Sequence, residues 1–198
     1  MDQKIKYGYW GVRGAGQVGR LLLAYTGATW ENVKYTTRED WFDKDKKGLG
    51  FQFPNLPYLI DGDFKLTESR AINSYIIKRS GKTELLGKNL KDEARVECLI
   101  GVFTDVRTAL MPLVFDPEWK NKINDAVAKI TPKLDELSKF YGDHEFSLGY
   151  LTLADFYISE FSHYVENIAP EVYAKYSFLK KTRNAFEALP EIKKYYAE

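Results

Sequence analysis

The chain has 198 residues, 44% of them hydrophobic and 29% charged. That is enough apolar content for one large core or two small ones, and too much for disorder. Lys and Arg number 29 against 28 Asp and Glu, a net charge of +1, so no bulk field draws nucleic acid or an anionic membrane. The single cysteine, Cys98, cannot form an internal disulfide, and with His144 and His163 it leaves too few of the usual ligands for zinc or haem. No metal and no cofactor are expected. No apolar run approaches the roughly 20 residues of a membrane span, and Met1 to Lys6 lacks a signal-peptide apolar region. The expectation is a soluble, cytoplasmic protein without membrane or nucleic-acid partners. Gly11, Gly14, Gly16 and Gly19 do not have the spacing of a phosphate cradle, and no nucleophile elbow is marked.

Ile5, Tyr7 and Tyr9 alternate with Lys4, Lys6 and Gly8, the period of a strand. A helix is predicted from Gln17 to Thr26, with Val18, Leu21, Leu22 and Tyr25 on its apolar face and Gly27 as a left-handed cap. A second strand runs from Glu31 to Thr36, followed by a charged, irregular segment from Thr37 to Gly50. Pro54 and Pro57 then bar a helix. Tyr58-Leu59-Ile60 reads as a buried strand, Asp61-Gly62 as a turn and Phe64-Lys65-Leu66 as the returning strand. A cis bond is expected before Pro57. A helix through Ile72, Tyr75, Ile76 and Arg79 stops at Gly81, and its start at Thr67 to Ser69 offers free N–H groups to a carboxylate. On physics alone, Phe53 to Ser69 is a site for a small anionic, peptide-like ligand.

Residues 82–92 read as a polar connector. Beyond it the periodicity is helical: Leu99, Val102, Phe103, Val106, Leu110 and Leu113, ended near Pro112, then Ile123 to Tyr141 with a bend at Pro132. Thr152-Leu153-Ala154-Asp155 is a capping box opening a helix that is apolar almost all round, and so is buried. A last helix covers Phe178 to Leu189, with a short turn beyond Pro190. The domains expected are 1–81, a linker at 82–92, and an all-helical 93–198.

The order β-α-β, loop, β-β-α in the first eighty residues is that of a thioredoxin-like domain, with Pro57 at the place of its cis-proline. No Cys-x-x-Cys is present, so thiol–disulfide exchange is not expected. An α/β N-terminal thioredoxin-like domain plus an all-α C-terminal domain resembles the cytosolic glutathione transferases. Gly8-Tyr9-Trp10-Gly11-Val12-Arg13-Gly14, Arg20 to Tyr25, Phe53 to Gly62, Phe115-Asp116-Pro117-Glu118-Trp119 and Thr152 to Phe156 resemble landmarks of the mu class.

That resemblance implies a homodimeric enzyme that adds the glutathione thiolate to apolar electrophiles, with glutathione as substrate. Tyr9 matches the catalytic tyrosine, whose hydroxyl donates to the glutathione sulfur. A free thiol of pKa about 8.5 is only about 3% thiolate at pH 7, and lowering it by about two units takes roughly 2.7 kcal/mol. One charge-assisted hydrogen bond, about 1.5–3 kcal/mol, covers most of that. Trp10, Trp41 and a lysine match residues at the glycine end of glutathione. Counting back from Pro54 gives Lys46 and forward from Trp41 gives Asp45, so one insertion lies between; Lys46 is preferred. Asn55, Leu56 and Pro57 match the segment pairing with the cysteinyl unit. Glu68 and Ser69 match the pair at the γ-glutamyl end, glutamate standing where the mu class usually has glutamine. Asp105 matches a position reaching the partner's glutathione. Val12, Ala15, Met111 and Phe115 are assigned to the electrophile, and Phe53 to the dimer interface. Three departures are noted: a short segment from Tyr35 to Trp41, Phe115 in place of a tyrosine, and no tail after Glu198. The alternatives are a non-catalytic ligand-binding or structural member of the fold, and a sigma-like prostaglandin isomerase.

Overall fold

A computed structural model describes residues 4–198. Met1, Asp2 and Gln3, part of the amino-terminal reading above, lie outside the described residues. The chain divides into two compact units, one reaching to Thr83 and including Glu191–Glu198, the other Glu84–Pro190.

The first unit is built on a four-stranded sheet of β1 (Ile5–Trp10), β2 (Trp30–Tyr35), β3 (Tyr58–Asp61) and β4 (Phe64–Thr67), in the order β2-β1-β3-β4. β1 pairs with β2 in parallel and with β3 antiparallel, and β3 with β4 antiparallel. The parallel pair requires a crossover, supplied by α1 (Gln17–Thr26). Val18, Leu21, Leu22 and Leu23 of α1 are buried, and Gly27 closes it at φ 70°. α2 (Ser69–Ser80) packs beside α1 and ends on Gly81 at φ 76°. The hairpin turn is Gly62-Asp63, because Asp61 already pairs with Phe64. Asp61 instead accepts from Tyr75 at 2.8 Å and pairs with Arg79, tying the strand end to α2. The expected cis bond is present at Leu56–Pro57.

Two expectations in this unit need correction, and the stretch 82–92, which crosses into the second unit, gains detail. Residues 37–50 are not irregular, because a π-helical turn spans Asp40–Asp45 and an α turn Lys46–Gly48. Residues 82–92 hold a short 3₁₀ turn, Thr83–Leu86, and the start of the next helix. The chain beyond Pro190 is a helix, Pro190–Ala197, rather than a turn, and it groups with the first unit. There Arg13 donates to the Tyr196 hydroxyl at 3.0 Å and Gln17 to Tyr195 at 3.2 Å.

The second unit is all helical: α3 (Leu90–Leu110), α4 (Trp119–Tyr141), α5 (Leu153–Ile168), α6 (Pro170–Lys175) and α7 (Ser177–Glu187). Asn89 caps α3 by accepting from the amides of Lys91 and Asp92. Pro112 sits in the 3₁₀ turn Met111–Phe115 that follows. Leu90–Phe115 is long and apolar enough to cross a membrane by length and composition, against the expectation above. Its stripe of Val96, Leu99, Ile100, Phe103, Val106 and Leu110 is buried in this unit, while Asp105 is exposed and Arg107 half-buried off that stripe, the pattern of an amphipathic helix with one face in a core. α5 packs against α3, α6 and α7. Its capping box is formed as expected, with Asp155 accepting from the Thr152 amide at 2.8 Å.

Candidate active site

β1 carries Tyr9 to the end of the sheet, where the chain turns through Gly14–Gly16. The Ala15 amide donates to the Tyr9 hydroxyl oxygen at 3.1 Å. A phenol has one proton, and this bond leaves it free to be donated onward. The turn closes this tightly only because Gly14 and Gly16 have no side chain. A Cβ at Gly14 would lie 2.7 Å from the Tyr9 oxygen, and one at Gly16 2.5 Å from its ring. A buried cation fixes the same loop from beneath. Arg20, 3% exposed, donates to the carbonyls of Val12 at 2.7 Å and Trp10 at 2.8 Å, and to the Asn32 side chain at 3.2 Å. Its guanidinium lies 5.7 Å from the Tyr9 ring centroid. The sequence reading did not single out Arg20. Its signal is a lone charge leading the run Leu21-Leu22-Leu23.

The stretch after Phe53 is anchored from two sides. Buried Thr67 donates to the Phe53 carbonyl at 2.7 Å, and the Asn55 side chain accepts from the Leu56 amide and donates to Glu68 at 3.0 Å. Asn55 and Glu68 are exposed, Leu56 is half-buried and Pro57 buried. Glu68 precedes α2 at φ 71°, the one non-glycine with positive φ among the described residues. Such backbone costs about 1–3 kcal/mol and gathers at ligand clamps. No side chain caps the helix. The first amide bonded back to Glu68 is that of Ile72, so the amides of Ser69, Arg70 and Ala71 precede the helical ladder and suit an anion. Asn55, Glu68 and Ser69 thus share one end of the sheet.

Trp10, Trp41 and Lys46 meet around an aromatic cluster. Trp10 packs edge-on to Tyr35 at 6.3 Å and against Phe42 at 6.1 Å. The Lys46 ammonium lies 5.1 Å from the Phe42 ring centroid. Trp41 is 2% exposed and stacks on Tyr58 at 6.0 Å. Its ring belongs to the core.

The remaining assigned residues are distributed over both units. In the first, Val12 is 61% exposed, Ala15 half-buried and Phe53 69% exposed. In the second, Phe115 is 83% exposed, Met111 half-buried, and exposed Asp105 lies 3.6 Å from the Lys133 ammonium.

The comparisons with known proteins match this arrangement. Residues 5–78 match the glutathione S-transferase N-terminal domain family and residues 104–198 the C-terminal one. The class-mu 26 kDa isozyme 51 of Fasciola hepatica is 34% identical over 193 residues, 96% of this chain and 87% of that one. Glutathione S-transferase Mu 2 of Homo sapiens is 34% identical, covering 95% and 88%. Among solved structures, the glutathione S-transferase of Ascaris lumbricoides superposes with a TM-score of 0.82 at 30% identity, covering 98% and 96%. Rat hPGDS complexed with a quinoline does so with 0.84 at 27%, over the same shares. The chain belongs to the glutathione transferase family of enzymes, within the mu class or a mu-like branch of it.

Proposed function

We propose that the chain conjugates the thiolate of glutathione to apolar electrophiles, with Tyr9 holding the sulfur. The observation that carries this is the Tyr9 hydroxyl, which accepts from the Ala15 amide and so has its own proton to give to a thiolate. Glutathione is the substrate; no cofactor enters the scheme. The glutathione backbone lies against Asn55, Leu56 and Pro57. Its γ-glutamyl ammonium pairs with Glu68 and its γ-glutamyl carboxylate with Ser69 and the first amides of α2. Lys46, with the edges of Trp10 and Trp41, takes the glycyl carboxylate, and Asp105 reaches the glutathione of a partner subunit. Val12, Ala15, Met111 and Phe115 are assigned to the electrophile because their side chains are apolar. The protein acts as a homodimer through exposed Phe53, in the cytoplasm, without nucleic-acid or membrane partners. Catalysis is thiolate stabilisation plus positioning.

The test is conjugation of glutathione to an activated chloronitroarene, followed by absorbance. Tyr9→Phe is expected to lower kcat/KM about 25-fold at pH 7, where raising the thiol pKa by about two units takes the thiolate from about three quarters to about 3%, and to move the pH profile up by those two units, the equivalent of roughly 2.7 kcal/mol. No activity in the wild type, or full activity in the variant, would overturn the mechanism. A second reading, glutathione-dependent prostaglandin isomerisation, is favoured by the likeness to rat hPGDS. A prostaglandin endoperoxide in the same substrate panel separates the two.

A further inference from the structure

Between Trp41 and Pro54, where the two counts toward the lysine differ by one residue, the chain makes a turn of unusual register. In the turn Asp40–Asp45 the Lys46 amide donates to the Trp41 carbonyl, five residues back rather than four. A π turn of this kind holds one extra residue within a helix. The extra residue has to point somewhere. Here the Asp45 carboxylate accepts from the Tyr35 hydroxyl, and Tyr35 is 5% exposed. The Tyr35 and Tyr58 hydroxyls lie 3.2 Å apart. Since the single Tyr35 proton goes to Asp45, Tyr58 donates to Tyr35. The three side chains form one relay, Tyr58 to Tyr35 to Asp45. Tyr58 reaches it by crossing Gly8, where a Cβ would sit 2.2 Å from its ring.

The relay joins β2 and β3, across β1, to the π turn, and its parts also wall Trp41. Tyr35 meets the Trp41 ring edge-on at 5.4 Å, and Tyr58 stacks on it. With Asp45 held inward, the next residue, Lys46, is turned toward Phe42, beside Trp10. A carboxylate and an ammonium on adjacent residues are thereby sorted, the anion into the protein and the cation to the ligand side.

We infer that Tyr35 and Asp45 are positioning residues that set the register of the π turn, and with it the selectivity of the site for a ligand with an anionic glycyl end. Released, Asp45 would sit one residue from Lys46 and repel that carboxylate. The inference rests on the reading that glutathione is the substrate.

The experiment compares glutathione with γ-glutamylcysteine, which lacks the glycyl end, as thiol substrates of the full chain. Wild type is expected to favour glutathione in kcat/KM. Tyr35→Phe should reduce that preference about tenfold, the size of one charged contact, through KM for glutathione rather than through kcat. Asp45→Ala, on the half-buried turn, should reduce it several-fold. Asp45→Asn, which keeps an acceptor oxygen for Tyr35, should stay near wild type. The Asp45 pair carries the test where Tyr35→Phe does not fold. Equal use of both thiols by wild type, or an Asp45→Ala enzyme with wild-type preference, overturns the inference. A wild type that conjugates neither thiol overturns the underlying reading instead.

Discussion

Arg20 and Glu68 hold the site by opposite means. Arg20 is a buried cation whose donors meet the neutral oxygens of Trp10, Val12, Gln17 and Asn32, so the loop behind Tyr9 is fixed by its own carbonyls. Glu68 is an exposed side chain on unfavourable backbone, at φ 71° and ψ 112°. If that conformation serves the ligand, stability and binding should separate when it is relaxed. Glu68→Gly is expected to be more stable than Glu68→Ala by about 1–2 kcal/mol, because only glycine takes positive φ without strain. In a chain of this size that is a melting-temperature gap of about 2–8 °C between the variants. Both should raise KM for glutathione alike, since both lose the carboxylate. Thermal melts beside a glutathione titration check the pair, and equal melting temperatures would remove strain from the account.

At the scale of elements, much of the chain was legible because local chemistry decides it. Gly27 and Gly81 end their helices, the leucines of α1 face inward, and Thr152 and Asp155 close their box. Where the sequence was opaque, the deciding partner lay far along the chain. The π turn needs Tyr35 to receive Asp45. The helix Pro190–Ala197 meets Arg13 and Gln17, so no local pattern assigns it to the first unit. Trp41 is assigned to the ligand by resemblance alone, and the sequence did not show that its ring lies in the core. α6 begins on Pro170, a first-turn proline, and the sequence alone did not mark this six-residue helix. The capping box also gives a pH signature. Burial pushes the Asp155 carboxyl up from 3.8 to about 6, against the pull of hydrogen bonds from Ser147 and Thr152. Between those values the native state keeps a proton that the unfolded chain has lost. Asp155 therefore favours folding fully below pH 3.8, and this contribution is lost as the pH rises through about 6. Asp155→Asn is expected to destabilise by about 2–4 kcal/mol, through lost and mismatched buried hydrogen bonds. It should also flatten that part of the pH dependence. Urea unfolding at a series of pH values tests both, and an unchanged slope would refute the assignment.

For the whole molecule, the sharpest question is posed by a phenylalanine. Thr67 holds the Phe53 carbonyl inward at 2.7 Å while the side chain stays 69% exposed, so the backbone is ordered around an apolar group left in water. Full burial of such a side chain yields roughly 1.5–3 kcal/mol. A two-fold interface uses every contact twice, so the two copies together contribute about 3–6 kcal/mol, a factor of about 10² to 10⁴ in the dimer dissociation constant. Sedimentation of the wild type is expected to give twice the 22.9 kDa chain mass. Phe53→Asp, which places a charge where desolvation would be required, should sediment as the single chain at micromolar concentration. Phe53→Leu, apolar but smaller, should fall between. Because Asp105 is assigned to the neighbouring subunit's glutathione, dissociation should also raise KM for glutathione, whereas Asp105→Asn should raise it without changing the mass. A wild type that sediments as a monomer, or a Phe53→Asp variant that remains a dimer, would detach Phe53 from assembly.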